Sequence, residues 1–212
     1  MATLQELRDE RLRKLEDLKQ LGINPYPANA GRTHVVGQVT EEFEQLENQT
    51  VTVAGRITGI RKFGKIAFIV LKDASGSAQL FLKDGTVEKT DAAKNQIGLE
   101  HLSLLDSGDF VEATGPVIKT QTGEISVEAR ALKLLTKSLR PLPTDQDGFT
   151  NKEERLRRRY VDTNVNKDVY QRYLRRSKFW QATRDFLNKN GFVEINTPVL
   201  EHTTGGAELP RL

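Results

Sequence analysis

The residues best suited to bind a ligand lie in the middle of the chain, where apolar and polar residues alternate as they do in β-strands. Phe68 stands between Ala67 and Ile69, so it faces outward if those two residues face the core. An outward aromatic ring on a sheet can stack on a nucleic-acid base, an interaction worth about 1–3 kcal/mol per base. The same pattern is equally compatible with a Phe68 ring inside the core.

Two polar side chains could read the edge of such a base. Gln79 alternates with the apolar residues of the next predicted strand, and its amide offers both a donor and an acceptor. Glu124 opens a later predicted strand and could accept a hydrogen bond from a base N–H. A solvated side chain is the ordinary alternative at both positions.

Basic residues surround the first predicted hairpin, with an aromatic residue among them. Arg56, Arg61, Lys62 and Lys65 lie on either side of Phe63. This mixture suits phosphate contact combined with base stacking. An ordinary charged hairpin would show the same composition.

A second concentration of positive charge lies further along the chain. Residues 137–190 hold 14 Lys and Arg against 7 Asp and Glu, whereas the whole chain has a net charge of only +3. The arginines within 155–159 belong to this segment. They indicate either contact with a polyanion or a solvated, salt-bridged helix face.

Several kinds of chemistry lack the residues they need. The chain has no cysteine, which excludes disulfides, thiolate metal sites and cysteine nucleophiles. Its three histidines, His34, His101 and His202, are widely separated. The phosphate-loop patterns GxxxxGK(S/T) and GxGxxG are both missing from the sequence. We therefore expect a binding protein with no metal and no cofactor in these residues.

Hydropathy predicts a cytoplasmic protein with no membrane partner. No stretch approaches the roughly 20 apolar residues of a transmembrane helix. The first residues, MATLQELRDERLRKL, lack the apolar region of a secretory signal.

The elements that would position these side chains follow from the periodicity. The spacing predicts five strands with a helical excursion between the third and fourth, at 51–58, 65–71, 78–82, 109–115 and 125–131. This is the order of a five-stranded OB-fold β-barrel, which binds oligonucleotides on the face of strands 2 and 3. The predicted fold class is α+β.

Helices are predicted on both sides of the strands. A capping box at Thr3 and Glu6 starts an amphipathic helix that ends near Gly22, and a second capping box at Thr150 and Glu153 starts a basic helix. A long helix over about 168–189 and a strand over 192–196 follow. The predicted domains are an N-terminal helix, an OB domain, a proline-containing linker and a helical C-terminal segment, at 1–24, 25–136, 137–149 and 150–212.

Several strings resemble a known family. Those in the strand region resemble the anticodon-binding OB domain of class IIb aminoacyl-tRNA synthetases: Val-Ala-Gly-Arg at 53–56, Gly-Lys-Ile-Ala-Phe at 64–68, Ala-Gln-Leu at 78–80 and Lys-Thr-Gln-Thr-Gly-Glu-Ile-Ser at 119–126. Residues 134–143, 158–162 and 191–198 resemble lysyl-tRNA synthetases in particular. The last string is similar to motif 1 of class II enzymes.

The resemblance implies a role for individual residues. It implies that Phe68 stacks on the anticodon, that Gln79 and Glu124 read its central uridine, and that Arg61 contacts the anticodon loop. It also places Pro198 at a dimer interface. The implied partners are the anticodon stem-loop of lysine transfer RNA and a second subunit.

The same resemblance suggests a shortened relative. Gly205 and Gly206 match a loop at the lysine pocket, but the residues after Ala207 depart from the family pattern. Motifs 2 and 3, which hold ATP and magnesium in the full-length family, are not in these 212 residues. We expect an N-terminal fragment that is inactive as a ligase by itself. A stand-alone OB module for single-stranded RNA, or an assembly fragment that docks on a full-length synthetase, are the alternatives.

Overall fold

The computed structural model describes residues 3–143 and 149–199. The chain divides into two compact units, Met1–Leu142 and Pro143–Leu212. This division falls within the segment that the sequence predicts as a linker. Gly205 and Gly206 lie outside the described residues.

Helix α1, Leu4–Gln20, starts at the predicted capping box. The Glu6 N–H donates to the Thr3 hydroxyl (3.2 Å), and the Thr3 N–H donates to the Glu6 carboxylate (2.6 Å). Leu15 and Leu18 are buried, whereas Leu4 is exposed. The second half of α1 therefore packs on the rest of the first unit.

A buried ionic network ties α1 to the end of the sheet. Lys137 Nζ is fully buried and donates to Asp109 (2.8 Å) and Asp106 (2.5 Å). Lys14 on α1 donates to the same Asp106 carboxylate (2.6 Å). The Arg11 guanidinium donates to two backbone carbonyls nearby. Lys137, the first residue of the predicted linker, is thus part of the first unit.

Two short helices, α2 (Val36–Glu41) and α3 (Phe43–Leu46), occupy a stretch without a clear sequence pattern. The turn between the second and third strands holds the first end of α2. The Val36 N–H donates to Asp73 (3.0 Å), and the Gly37 N–H donates to the Ser75 hydroxyl (2.8 Å).

The strands form one sheet whose hydrogen bonds close a ring. They are β1 (Thr50–Phe63), β2 (Ile66–Lys72), β3 (Ser77–Lys83), β4 (Phe110–Lys119), β5 (Ile125–Glu128) and β6 (Ala131–Thr136). The ring runs β1–β2–β3–β5–β4 and returns to β1, with the β3–β5 pair parallel and the others antiparallel.

The last two strands together make the fifth strand that the sequence predicts. Both β5 and β6 pair with β4, and they are separated only at 129–130. The predicted five-stranded OB order is therefore confirmed, with an interruption in its last strand.

The core lies inside the ring and follows the predicted alternation. Every second residue is buried along β1 as far as Ile57 and throughout β2 and β3, including Val51, Val53, Ile57, Ala67, Ile69, Leu71, Leu80 and Leu82. The excursion between β3 and β4 is a 3₁₀ helix, Leu99–Leu104, where the sequence predicts a helical segment. Its three-residue turn places Leu99 and Leu102 on one buried side.

Over residues 149–199, the second unit forms three helices, α4 (Lys152–Arg157), α5 (Arg159–Val165) and α6 (Lys167–Lys189). The side chain of Asn151, not Thr150 as predicted, caps α4 by accepting from the Glu154 N–H (3.1 Å). The predicted basic helix is interrupted at Arg158, where the backbone is not helical.

The strand predicted at 192–196 is wrong for this structure. Within the described residues, no other strand pairs with this segment. A β-strand needs a neighbouring backbone for its N–H and C=O groups, so the segment has no regular structure. None of the described helices is long and apolar enough to cross a membrane.

Candidate nucleic-acid interface

An irregularity in β1 brings two predicted site residues to the outside of the sheet. The β1–β2 register shifts between Ile57 and Gly59. Beyond this β-bulge, Ile60 packs against the core, and Arg61 lies opposite Phe68 of β2. Arg61 is exposed, and as the cross-strand partner of Phe68 it lies on the same outer face of the sheet.

Phe68 belongs to an aromatic cluster on this face. Its neighbours Ala67 and Ile69 are both 0% exposed, whereas Phe68 itself is partly exposed. Its ring stacks on Phe81 of β3, with centroids 5.3 Å apart, and meets the edge of Phe63 at 6.4 Å. The structure thus decides between the two sequence interpretations: Phe68 faces outward.

Gln79 lies in the next register row of the same face. It is aligned with Val70 on one side and with Ser126 of β5 on the other. Its Nε2 donates to the Ser126 hydroxyl oxygen at 3.0 Å. Gln79 is partly exposed, while Ser126 is fully buried.

Glu124 immediately precedes β5. It lies two residues before Ser126, and the turn that precedes β5 fixes its backbone. The Thr120 N–H donates to the Glu124 carbonyl (2.9 Å), and the Glu124 N–H donates to the Thr120 hydroxyl (3.1 Å). The Glu124 side chain is exposed. The structure therefore places Arg61, Phe68 and Gln79 on one side of the sheet, and Glu124 in the turn that leads into β5.

The basic cluster predicted around the first hairpin is only partly assembled. Arg61 and Lys65 are exposed, but Lys62 has the opposite parity and donates to the Leu99 carbonyl at 3.0 Å. Arg56 lies over the Phe110 ring at 4.5 Å, and its burial lowers the pKa of its guanidinium. Strand parity explains the position of Lys62, because a one-residue step from Arg61 changes the face. Arg56 lies on the outer side of β1, between the buried Gly55 and Ile57, but it is engaged with Phe110.

Two of the four arginines at 155–159 pair with carboxylates within the second unit. Arg155 donates to the buried Asp162 carboxylate at 2.9 Å, and Arg157 pairs with Glu153. Arg159 donates to the Tyr173 hydroxyl at 3.4 Å. These contacts match the salt-bridged helix face that the sequence left as one alternative.

The sequence did not identify three further residues of the outer face as candidate site residues. Phe81 stacks on Phe68, Ser126 binds Gln79, and Glu128 is aligned with Phe81 across the β3–β5 pair. The parity of Phe81 matches that of Gln79, so the alternation of β3 could have identified it. Ser126 and Glu128 required the parallel β3–β5 pairing, which no local pattern shows.

Pro198 is exposed and lies after α6 in a segment without regular structure. Within the residues that the structure describes, no group of three or more His, Asp or Glu side chains could hold a metal ion.

Comparisons with known proteins match both units. Residues 51–135 match the family model of the OB-fold nucleic acid binding domain, and residues 151–210 match that of the class II (D, K and N) tRNA synthetases. Among curated proteins, the chain is 41% identical over 207 residues to a lysine–tRNA ligase of Carboxydothermus hydrogenoformans, covering 96% of the chain and 40% of that relative.

Other lysine–tRNA ligases are similarly close. The relative from Roseiflexus sp. is 43% identical over 209 residues, and that from Trichormus variabilis is 40% identical over 210 residues; each match covers 96% of the chain, with 41% and 37% of the respective relative. The chain spans about two fifths of the length of these curated relatives. The chain therefore carries an OB-fold nucleic acid binding domain followed by a segment of a class II (D, K and N) tRNA synthetase domain, and it is similar over almost its whole length to the first two fifths of lysine–tRNA ligases.

Proposed function

We propose that the chain is the part of a lysine–tRNA ligase that binds the anticodon stem-loop of lysine transfer RNA. The observation that carries this proposal is the outward Phe68 ring, stacked on Phe81 and aligned with Arg61 on the outer face of an OB fold. A partly exposed aromatic ring can stack on a base, and an exposed arginine on the same face can contact a phosphate.

Each side chain of this face has a separate task in the proposed complex. Phe68 stacks on one anticodon base, and Arg61 contacts the phosphate backbone of the loop. Gln79 and Glu124 contact the edge of the central uridine, since an amide and a carboxylate offer the acceptors that its N3–H requires. Stacking supplies affinity, whereas the edge contacts supply discrimination.

The ligase reaction itself is proposed only for a full-length protein in the cytoplasm. There, ATP would activate lysine, and magnesium would assist. The described residues hold no metal-binding cluster, and no step of the reaction is assigned to them. Gly205 and Gly206 remain a proposed part of the lysine pocket.

Exposed apolar side chains in the second unit favour an additional role in assembly. Phe179 is 65% exposed and Trp180 49% exposed on α6, and Ile195 is 73% exposed beyond it. Apolar surface of this extent is typical of association sites. We propose that α6 and the segment through Pro198 contact a second synthetase subunit.

Binding of short RNAs to the 212-residue chain tests the proposed function. Fluorescence anisotropy would compare a stem-loop with the lysine anticodon UUU against one with UCU and one with a scrambled loop. We expect the UUU stem-loop to bind at least about tenfold more tightly than the scrambled loop. Equal affinities for all three would contradict anticodon recognition and would favour a general single-stranded RNA module.

A further inference from the structure

Ser126 holds one end of the Gln79 amide in a fixed direction. Its hydroxyl oxygen accepts from Gln79 Nε2 at 3.0 Å, and its own proton points to the Glu124 carbonyl at 3.5 Å. Ser126 is fully buried, so its hydroxyl has these two protein partners and is not in contact with solvent. The chain of donors therefore runs from Gln79 through Ser126 to the backbone of Glu124.

This arrangement leaves the other end of the amide for a ligand. Because Nε2 is directed at Ser126, the carbonyl oxygen Oε1 points the other way across the planar amide. Within residues 3–143 and 149–199, no protein donor binds Gln79 Oε1. Gln79 is partly exposed, so this acceptor is accessible from the outer face.

We infer that Ser126 is a positioning residue that turns the Gln79 carbonyl oxygen toward the bound base and so sets which base is preferred. This inference rests on the proposed function. Uracil presents an N–H at the centre of its Watson–Crick edge, whereas cytosine presents a lone pair there. A carbonyl oxygen held in place accepts a hydrogen bond from the uracil N–H and repels the cytosine lone pair. A freely rotating amide could turn its NH₂ group to cytosine and lose this preference.

A double-mutant cycle tests the inference by the ratio of affinities for two stem-loops, identical except for U or C at the central anticodon position. Ser126→Ala removes the acceptor that holds Nε2, so we expect the preference for U to fall by about fivefold, the size of one hydrogen bond. Gln79→Glu provides the matched background. A carboxylate presents an acceptor in either orientation, so Ser126→Ala should leave the ratio unchanged there.

The possible results separate the inference from the proposed function. An equal loss of preference in both backgrounds would show that Ser126 acts only through strand structure and would overturn the inference. An unchanged ratio for Ser126→Ala in the parent chain would overturn it too, while leaving anticodon binding intact. If the parent chain itself showed no preference between the two stem-loops, the proposed function would fail first and the inference with it.

A second readout does not depend on RNA. In the free protein, NMR should show that Ser126→Ala moves the side-chain amide resonances of Gln79, because one Nε2 proton loses its acceptor. Ser126→Thr retains the hydroxyl and should leave them near their original positions. Unchanged Gln79 resonances in Ser126→Ala would overturn the inference.

Discussion

At the scale of single residues, the outer face combines one tightly supported ring with several exposed polar groups. Phe68 rests on Phe81, so the ring is already ordered before a ligand arrives. Ordering of this kind reduces the conformational entropy lost on binding. Arg61, by contrast, is exposed and suited to a phosphate contact that does not depend on sequence.

Phe68→Ala should weaken binding of the UUU stem-loop by about 1–3 kcal/mol, because it removes a stacking surface. Phe179→Ala is a matched control, since it removes an exposed ring from α6 and not from this face. Anisotropy titrations of both variants would provide the comparison. Equal affinity of Phe68→Ala and the parent chain would exclude stacking on this ring.

Because of Asp106, the free energy of unfolding of the first unit should fall as the pH is lowered into the acidic range. Burial by itself would raise the pKa of Asp106, but hydrogen bonds from Lys137 and Lys14 outweigh it and hold the pKa below its usual range. A carboxyl group with a lowered folded-state pKa stabilises the protein above its unfolded pKa of about 3.9. That contribution is lost as the pH falls through the lower folded-state value.

Asp106→Asn should therefore lower the free energy of unfolding at neutral pH by about 1–3 kcal/mol. The difference from the parent chain should shrink below about pH 4. Urea unfolding at a series of pH values would measure it, with Asp84→Asn at an exposed position as the control. A difference that stays constant down to the lowest pH would contradict this role of the network.

At the scale of elements, the close approach of two strands requires a glycine. A Cβ atom on Gly115 of β4 would overlap the Glu128 carbonyl oxygen, at the interruption between β5 and β6. This interruption also ends the stretch of β5 that carries Ser126 and Glu128. The geometry of the outer face thus depends on a residue with no side chain.

Gly115→Ala should destabilise the first unit by about 1–3 kcal/mol or more, because backbone must move to relieve the overlap. Gly59→Ala is the control, since its Cβ would meet only Val70 Cγ2 at 4.0 Å. Thermal unfolding followed by circular dichroism would compare the two variants. Equal melting temperatures would show that the strands can separate at Gly115 without cost.

The alternation of apolar and polar residues predicted the strands of the first unit and their buried faces. It did not predict features that depend on contacts between residues distant in sequence. The outward position of Phe68 and the burial of Ala67 and Ile69 follow from a period of two residues. The interruption at 129–130, the β1 bulge and the parallel β3–β5 pair depend on contacts distant in sequence. The helix α2 was missed because its cap comes from Asp73 and Ser75, far along the chain.

At the scale of the whole molecule, the two units differ in how much of their surface is buried. The first unit contains a continuous hydrophobic core. In the second unit, the long helix α6 buries one residue, Val169. The sequence predicted the extent of α6 within one residue at its start, because that depends on local propensity. It predicted a strand after α6 that needs a partner backbone, and the described residues provide none.

Hydrogen exchange should separate the units. We expect slow exchange in β1, β2, β3 and β4, whose amides are paired around a buried core, and fast exchange in α6 of a monomer. Exchange in α6 should slow only when a second subunit covers its exposed apolar residues. Uniformly slow exchange over 152–189 in a monomer at micromolar concentration, as determined by sedimentation, would contradict this expectation.

Mapping the RNA-binding surface tests anticodon recognition by the outer face of the sheet. Titration of the ¹⁵N-labelled chain with the UUU anticodon stem-loop, followed by NMR, would report every affected amide. We predict the largest shifts at Arg61, Phe68, Gln79 and Ser126, on the outer face of the sheet. Shifts confined to the basic helices of the second unit, with this face unchanged, would contradict it.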